Sequence, residues 1–458
     1  MSDNFGFLCG KKSIFFCGIG GASMSGLAAI CSLNGFSVSG SDCDISSDTL
    51  SFLQSYGIRV FTSHSAENIA GSDAFVYTAA VNDSNPELRQ ARICGIPVYT
   101  RSRFLGCLAD CFPHSIAVAG THGKSTVTHM TGKIFKDSSV SSALLAGAAD
   151  KDSGLSFRNG GGCLIFEACE FNRSFLDFHP ETSVILNIEK EHTDTYPTLR
   201  SAEDGFGQFA AQSKTCIVNL DCYNSSSIIP FIQNRGVRIL TFSLTDKNAD
   251  AFATETDEKR GLFSFTGCIK QQLPFRCSLS VPGIHNVSNA LAAALCASVY
   301  GIKSEIISSS LSGFTGLKRR FEYIGNYAGA DIYDDYAHHP TEIRATLKTA
   351  RSLGYKRIIC AFQPHTYSRT YSLFRDFTAA FTDCDLVIFA DIFPAREVNI
   401  YGVSSEMLAA STENALYIPS FEGIYRFLAE NAEKDTMILT MGAGKLNRVS
   451  YALAHAKD

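Results

Sequence analysis

The chain has 458 residues, which by length alone corresponds to about three domains. It carries 40 Lys and Arg against 45 Asp and Glu, a formal net charge of −5, which argues against a broad basic surface for nucleic acid. Hydrophobic residues make up 45% and charged residues 19%, a balance that supplies large cores and excludes disorder on the scale of a domain.

Short β-branched or aromatic runs alternate with longer helical patterns almost from end to end, the signature of α/β layers with mostly parallel sheets. Ser13–Cys17 is predicted as a first strand, followed by a Gly-rich turn and a helix to about Leu33. Phe36–Ser39, Ala74–Tyr77 and Pro97–Tyr99 are further strands, and a first domain closes near Asp110–His114. A second start follows. Ser115–Ala119 is a strand, with a Gly-containing turn and a helix from Lys124. Strands are expected at Cys163–Phe166, Ser183–Ile188, Cys216–Asn219 and Val237–Phe242. A β-rich piece, roughly Leu262–Val281, precedes an alanine-rich helix at Asn286–Tyr300. A third domain begins near Phe321, with strands Ile332–Asp334, Arg357–Phe362, Leu386–Phe389 and Met437–Thr440. Its helices are expected at Thr341–Leu353 and Tyr371–Phe381, with a last helix after Thr440.

No apolar stretch approaches the ~18–20 residues that cross a bilayer, and Met1–Gly10 has no basic-then-apolar layout. The expected setting is the cytoplasm, with no membrane partner and no nucleic acid. The 16 cysteines are scattered singly without a CxxC pair, and many lie in apolar runs, as at Cys31, Cys296 and Cys360. They are expected to be small buried hydrophobes rather than disulfides or metal ligands.

The most specific local signal is Gly120-Thr121-His122-Gly123-Lys124-Ser125-Thr126, between a strand and a helix. Such a loop points backbone N–H groups and a helix N-terminus at phosphate oxygens. Lys124 would neutralise β- and γ-phosphates and the Ser125 hydroxyl would bind Mg²⁺. Residue 118 is Val, so the general G-x-x-x-x-G-K-[ST] spacing is not met, and a Gly turn capping an ordinary helix is the alternative. Gly18-Ile19-Gly20-Gly21-Ala22-Ser23-Met24-Ser25-Gly26 resembles a dinucleotide fingerprint, with Asp42 about 20 residues on. Ser23 stands where its third Gly belongs, so the turn supports a diphosphate-bearing ligand, not NAD in particular.

Glu167-Ala168-Cys169-Glu170 and Asn187-Ile188-Glu189-Lys190-Glu191-His192-Thr193-Asp194 each follow a strand, where α/β sheets bind ligands. Beside a phosphate loop they favour a hard cation. Asn286 is either a helix N-cap or a nucleobase contact. Tyr333–Pro340 and Gln363–Thr370 cluster His, Asp and Arg after strands, and Arg319-Arg320 could supply charge to a transferring phosphoryl group.

Together these motifs resemble the Mur ligase family from about residue 12 to residue 444, completed by Asp-Asp-Tyr-Ala-His-His-Pro-Thr-Glu at 334–342 and Asp-Ile-Phe-Pro-Ala-Arg-Glu at 391–397. The resemblance implies a three-domain α/β fold: a UDP-sugar-binding Rossmann-like domain over 1–112, a central P-loop ATPase domain over 113–320, and a Rossmann-like domain over 321–458 that closes over ATP and binds the amino acid. It implies ATP-dependent ligation of L-alanine to the lactyl carboxylate of UDP-N-acetylmuramate in peptidoglycan precursor synthesis, through an acyl phosphate, with ATP and Mg²⁺ required. A murein tripeptide recycling ligase and an inactive nucleotide-binding relative are the alternatives, and a monomer or homodimer is expected.

Site roles follow from the same resemblance. Gly120, Thr121, His122, Gly123, Lys124, Ser125 and Thr126 would cradle the ATP phosphates. Ser125 and Glu167 would hold one Mg²⁺ and His192 a second. Asn286 would contact adenine, Asp335 the ribose and Arg320 the γ-phosphate. Tyr336, His338 and Arg369 would surround alanine. Gly20, Gly21, Ser25, Asp42, His64 and Thr78 would hold the UDP-sugar. Ser23, Ser63, Thr366 and Lys445 depart from the family's pattern.

Overall fold

The computed structural model describes residues 6–8, 10–192, 194–395 and 397–456. Thr193 and Arg396, which fall within two of the motifs above, lie outside the described residues.

Three sheets carry the chain. The first contains β1 (Ser13–Cys17), β2 (Ser37–Ser41), β3 (Arg59–Phe61), β4 (Ala74–Tyr77) and β5 (Val98–Thr100), in the order β3-β2-β1-β4-β5, all parallel. The order reverses direction beside β1, which opens a crevice at the carboxyl ends of β1 and β4. Parallel strands covered on both faces need apolar residues in succession. Along β1, Ile14 and Phe16 enter one core, while Phe15 and Cys17 enter another. Helix α1 (Ala22–Leu33) joins β1 to β2, α2 (Ser47–Ser55) joins β2 to β3, α3 (Pro86–Ile93) joins β4 to β5, and α4 (Arg101–Ala109) follows β5.

The second sheet contains β6 (His114–Ala119), β7 (Ser142–Leu145), β8 (Phe157–Arg158), β9 (Cys163–Glu167), β10 (Thr182–Ile185), β11 (Thr215–Asn219), β12 (Arg238–Ser243), β13 (Ala251–Lys259), β14 (Leu262–Ile269) and β15 (Phe275–Ser278). Its order is β15-β14-β13-β12-β11-β10-β6-β9-β7-β8. β6 runs parallel to β10 on one side and β9 on the other. The segment after β6, leading into α5 (Lys124–Asp137), therefore emerges at a switch point. One apolar core joins elements of the first two sheets, from Phe16 and Leu27 to Phe166, Phe175 and Phe209.

The third sheet contains β16 (Glu322–Tyr327), β17 (Ala330–Asp335), β18 (Arg357–Phe362), β19 (Leu386–Phe389), β20 (Ala415–Tyr417) and β21 (Thr436–Met441). Its order is β16-β17-β21-β18-β19-β20, antiparallel only at β16–β17. Ile358, Cys360 and Phe362 face one core, and Ile359 and Ala361 the other.

By compactness the chain forms two units. One holds residues 1–254, 266–277 and 288–312; the other holds 255–265, 278–287 and 313–458. The helix expected at Tyr371–Phe381 is instead two short helices, Tyr367–Ser372 and Phe374–Thr378. Leu373, with φ −113° and ψ 20°, leaves helical geometry between them. The alanine-rich helix starts at Ile284, so Asn286 is its third residue rather than its N-cap. Among the described residues every cysteine is a free thiol, and no helix is long and apolar enough to cross a membrane.

Candidate active site

The loop after β6 is shaped by two glycines that a side chain would disrupt. Gly120 has φ +150°, and a Cβ there would meet Leu186 Cβ at 2.9 Å. Gly123 has φ +85°, and a Cβ would meet Asn289 Oδ1 at 2.8 Å. Asn187, two residues past the end of β10, clamps the loop. Its Oδ1 accepts from the His122 N–H at 2.7 Å, and its Nδ2 donates to the His122 carbonyl at 3.1 Å. The Thr121 hydroxyl accepts from the Glu189 N–H at 2.9 Å.

The loop's lysine is held rather than solvated. Lys124 Nζ donates to the carbonyls of Gly120 and Thr121 and sits 3.0 Å from Glu170 Oε2. The side chains of Lys124 and Glu170 are only 16% and 4% exposed. Burial alone would lower the lysine's pKa, but the Glu170 carboxylate outweighs it and holds the ammonium above its ordinary value. Glu170 is also 3.7 Å from His192 Nε2, and its carbonyl accepts from the Tyr196 hydroxyl at 3.0 Å. The structure thus joins Lys124 to His192 through a carboxylate that sequence reasoning quoted in its motif but gave no role. The turn after it carries Asn172 and Arg173 in left-handed geometry, at φ 52° and 53°.

Glu167 ends β9 in register with Val118 of β6, one strand over from the phosphate loop. Its Oε1 accepts from the Gly147 N–H at 2.6 Å. Ser125 is buried in the first turn of α5. A serine hydroxyl and a carboxylate are hard oxygen donors of the kind Mg²⁺ takes, and the His192 imidazole, beside Glu170, is a separate nitrogen donor.

At the end of the first sheet, Gly18 turns with φ +80°, and a Cβ there would meet Thr78 Cγ2 at 2.1 Å. Asp42 Oδ2 accepts from the Gly20 N–H at 2.9 Å, which binds the Gly-rich turn to the residue after β2. Ser25 is buried and donates to the Ala22 carbonyl at 3.0 Å, within its own helix. Ser23 receives a hydrogen bond from Arg101 Nη1 at 3.0 Å, a partner the sequence reading did not name. His64 Nδ1 lies 2.8 Å from Glu87 Oε2.

In the second unit, Arg320 and Arg319 both stand over the ring of Tyr336, at 5.2 and 5.0 Å. Arg320 reaches Glu342 at 3.7 Å, whereas Arg319 pairs with Asp334 at 3.0 Å and donates to the Gly442 carbonyl. Tyr336 and His338 rings meet edge to face at 5.3 Å, and His338 and His365 at 6.0 Å. Arg369 Nη1 is 3.1 Å from His365 Nδ1. Tyr336, His338 and Arg369 are therefore brought together, with His365 as the link. Asp335 is buried and accepts from the N–H groups of Phe321 and Ala337 at 2.7 and 2.6 Å. Burial pushes its carboxyl up to about 6 against the pull of Arg320. Asn286 Nδ2 donates to the Pro282 carbonyl at 2.7 Å.

Three family models match in succession: "Mur ligase family, catalytic domain" over residues 13–113, "Mur ligase middle domain" over 118–297 and "Mur ligase, glutamate ligase domain" over 319–444. The chain belongs to the Mur ligase family. It is 41% identical to the UDP-N-acetylmuramate--L-alanine ligase of Acetivibrio thermocellus, over 96% of this chain and 94% of that one. It is also 41% identical to the ligase of the same name from Agathobacter rectalis, over 96% and 97%. The solved UDP-N-acetylmuramate-alanine ligase MurC from Thermotoga maritima superposes with a TM-score of 0.82 at 25% identity, covering 96% of this chain and 98% of that one. A murein peptide ligase from Psychrobacter arcticus shares the fold, with a TM-score of 0.76 at 23% identity over 98% of this chain and 100% of that one.

Two departures of this Mur ligase from its family's pattern have structural partners. Ser23 is held by Arg101. Lys445 keeps its exposed side chain at the surface, while its backbone N–H donates to Gln363 Oε1 at 3.1 Å.

Proposed function

We propose that this Mur ligase joins L-alanine to the lactyl carboxylate of UDP-N-acetylmuramate at the expense of ATP, in peptidoglycan precursor synthesis. The observation that carries the reading is the buried Lys124–Glu170 pair inside a glycine-shaped loop at the carboxyl end of β6. Near-full-length likeness to curated alanine ligases supports it.

The carboxylate oxygen attacks the γ-phosphorus of ATP. The bond to the β-bridging oxygen breaks and ADP leaves. The alanine amine, having lost its ammonium proton, attacks the acyl carbon. The tetrahedral intermediate then collapses to the amide as inorganic phosphate departs. Phosphorylation supplies the leaving group that a carboxylate lacks, so the protein's share is positioning and charge neutralisation. Lys124 meets the transferring phosphoryl group, moving from Glu170 to phosphate oxygens. Residues 120–126 cradle the phosphates with backbone N–H groups. Ser125 and Glu167 would hold one Mg²⁺ and His192 a second, which would neutralise phosphate charge when bound. Arg320 adds positive charge at the γ-phosphate, Asp335 takes the ribose and Asn286 the adenine. The Tyr336–His338–Arg369 cluster receives alanine, with Arg369 on its carboxylate. Gly20, Gly21, Ser25, Asp42, His64 and Thr78 hold the UDP-sugar. These roles divide the chain into a sugar-nucleotide domain (1–112), an ATP domain (113–320) and an amino-acid domain (321–458), working in the cytoplasm.

The test is phosphate release with ATP, Mg²⁺ and UDP-N-acetylmuramate, offering L-alanine, L-serine, glycine or the wall tripeptide in turn. Release that needs both the sugar nucleotide and L-alanine, with the amide mass by mass spectrometry, is the expected result. Release with the tripeptide alone would reassign the chain to recycling. Nucleotide binding with no release under any acceptor would mark an inactive relative.

A further inference from the structure

Another buried carboxylate lies beside the Gly-rich turn of the first sheet, outside the phosphate site. Glu87 is fully buried in the first turn of α3, where the Asn85 side chain caps the helix and accepts from the Glu87 N–H at 2.9 Å. Its Oε2 accepts from the Ser41 hydroxyl at 2.6 Å and the Cys17 thiol at 3.2 Å, and lies 2.8 Å from His64 Nδ1. Its Oε1 accepts from Asn68 Nδ2 at 2.7 Å. Burying a carboxylate is costly unless donors surround it, so such a network is kept only where its geometry matters.

The donors come from the segments that frame the first crevice. Cys17 immediately precedes Gly18, and Ser41 immediately precedes Asp42. Asn68 also donates to the Ser63 carbonyl at 2.9 Å, which ties down the loop carrying His64. A carboxylate only accepts hydrogen bonds, so its contact with His64 fixes the ring proton on Nδ1 and leaves Nε2 as the acceptor.

We propose that Glu87 is a positioning residue for sugar-nucleotide binding: it sets the tautomer and rotamer of His64 and locks the ends of β1 and β2 beneath the Gly-rich turn. This inference rests on the assignment of His64 to the UDP-sugar site. Cys17 Sγ, His64 Nδ1 and Glu87 Oε2 also converge closely enough for a metal. Burial, reinforced by Glu87, pushes the Cys17 thiol far above its ordinary range, which suits a hydrogen-bond donor rather than a thiolate ligand.

The experiment compares Glu87→Gln, His64→Ala and the double variant in the full-length enzyme. Glu87→Gln should raise the KM for UDP-N-acetylmuramate about tenfold, the size of one lost partner to a buried group. The kcat and the KM values for ATP and alanine should stay within about twofold. His64→Ala should do the same, and the double variant no more than the single one. Long-range ¹H–¹⁵N NMR should show His64 as the Nδ1–H tautomer, lost in Glu87→Gln. A raised KM in His64→Ala but not in Glu87→Gln would overturn the positioning role alone. An unchanged KM in His64→Ala would overturn the His64 assignment, and this inference with it. If Glu87→Gln fails to fold, Asn68→Ala keeps the carboxylate and should raise the same KM, while an Nε2–H tautomer in the unaltered protein would refute the idea. A cobalt–thiolate absorption band abolished by Cys17→Ser would overturn it in favour of a metal site.

Discussion

Lys124 has two employments, and they respond differently to substitution. Lys124→Ala should cut phosphate release by about 10²–10³-fold, as expected for the loss of one charge-stabilising donor at a transferring group. It should also strand Glu170, because removing one partner of a buried pair costs about 3–5 kcal/mol. The melting temperature of Lys124→Ala should therefore fall, and Lys124→Ala/Glu170→Gln should recover most of that fall without recovering turnover. Equal melting of Lys124→Ala and the unaltered protein would show that the pair carries no stability. Asp335 makes a second prediction. The Asp335 carboxyl is raised from 3.8 to about 6, so the folded state holds that proton more tightly. Its stabilising share is complete below pH 4 and is lost as pH rises through 6. Asp335→Asn should therefore flatten the stability profile between pH 4 and pH 7, where the unaltered protein loses up to about 3 kcal/mol as pH rises. Chemical denaturation at several pH values would reveal it.

At the scale of elements, glycines and caps shape the first crevice. Gly18→Ala should weaken UDP-N-acetylmuramate binding, since its Cβ would collide with Thr78 Cγ2. Thr78→Ser deletes that methyl and should restore part of the affinity, the rest being lost to the left-handed backbone at about 1–2 kcal/mol. Isothermal titration of the two variants would separate these contributions. Asn85→Ala should cost about 1 kcal/mol as a lost helix cap. What the sequence made legible at this scale follows burial. β1, β4, β18 and β19 have the predicted bounds because a doubly covered parallel strand is an unbroken apolar run flanked by polar turns. The short β3 and β20, partly exposed, show no such run and went unread. The Tyr371–Phe381 segment kept its helical spacing of apolar residues across the break at Leu373, where backbone angles rather than pattern decide. The phosphate loop was legible because its chemistry is local. The partner of Lys124 was not, because Glu167 and Glu170 stand in one short motif and only the folded backbone brings Glu170 to 3.0 Å from the ammonium.

For the whole molecule, the proposed roles fall into both compact units: Lys124 and His64 in one, Arg320, Tyr336 and Arg369 in the other. Sugar nucleotide and amino acid should therefore be separable by mutation. Arg369→Ala should raise the KM for alanine at least tenfold while leaving the thermal shift caused by UDP-N-acetylmuramate unchanged. That shift corresponds to about 2.7 kcal/mol at a hundredfold excess over Kd, well within the reach of a melting assay. A loss of the sugar-nucleotide shift in Arg369→Ala would reject the division.

The boundary between the units is not a single point on the chain. The backbone passes from one unit to the other five times, through 254–255, 265–266, 277–278, 287–288 and 312–313. Dissection of the gene at any one of these junctions would leave at least one product short of part of its own body. A fragment starting at Gly313 would lack residues 278–287, and with them His285 and Asn286. Split-protein reporters or halves expressed separately are therefore poor tools for this enzyme. For the same reason, a protease nick at one crossing would leave the two bodies linked by the other four.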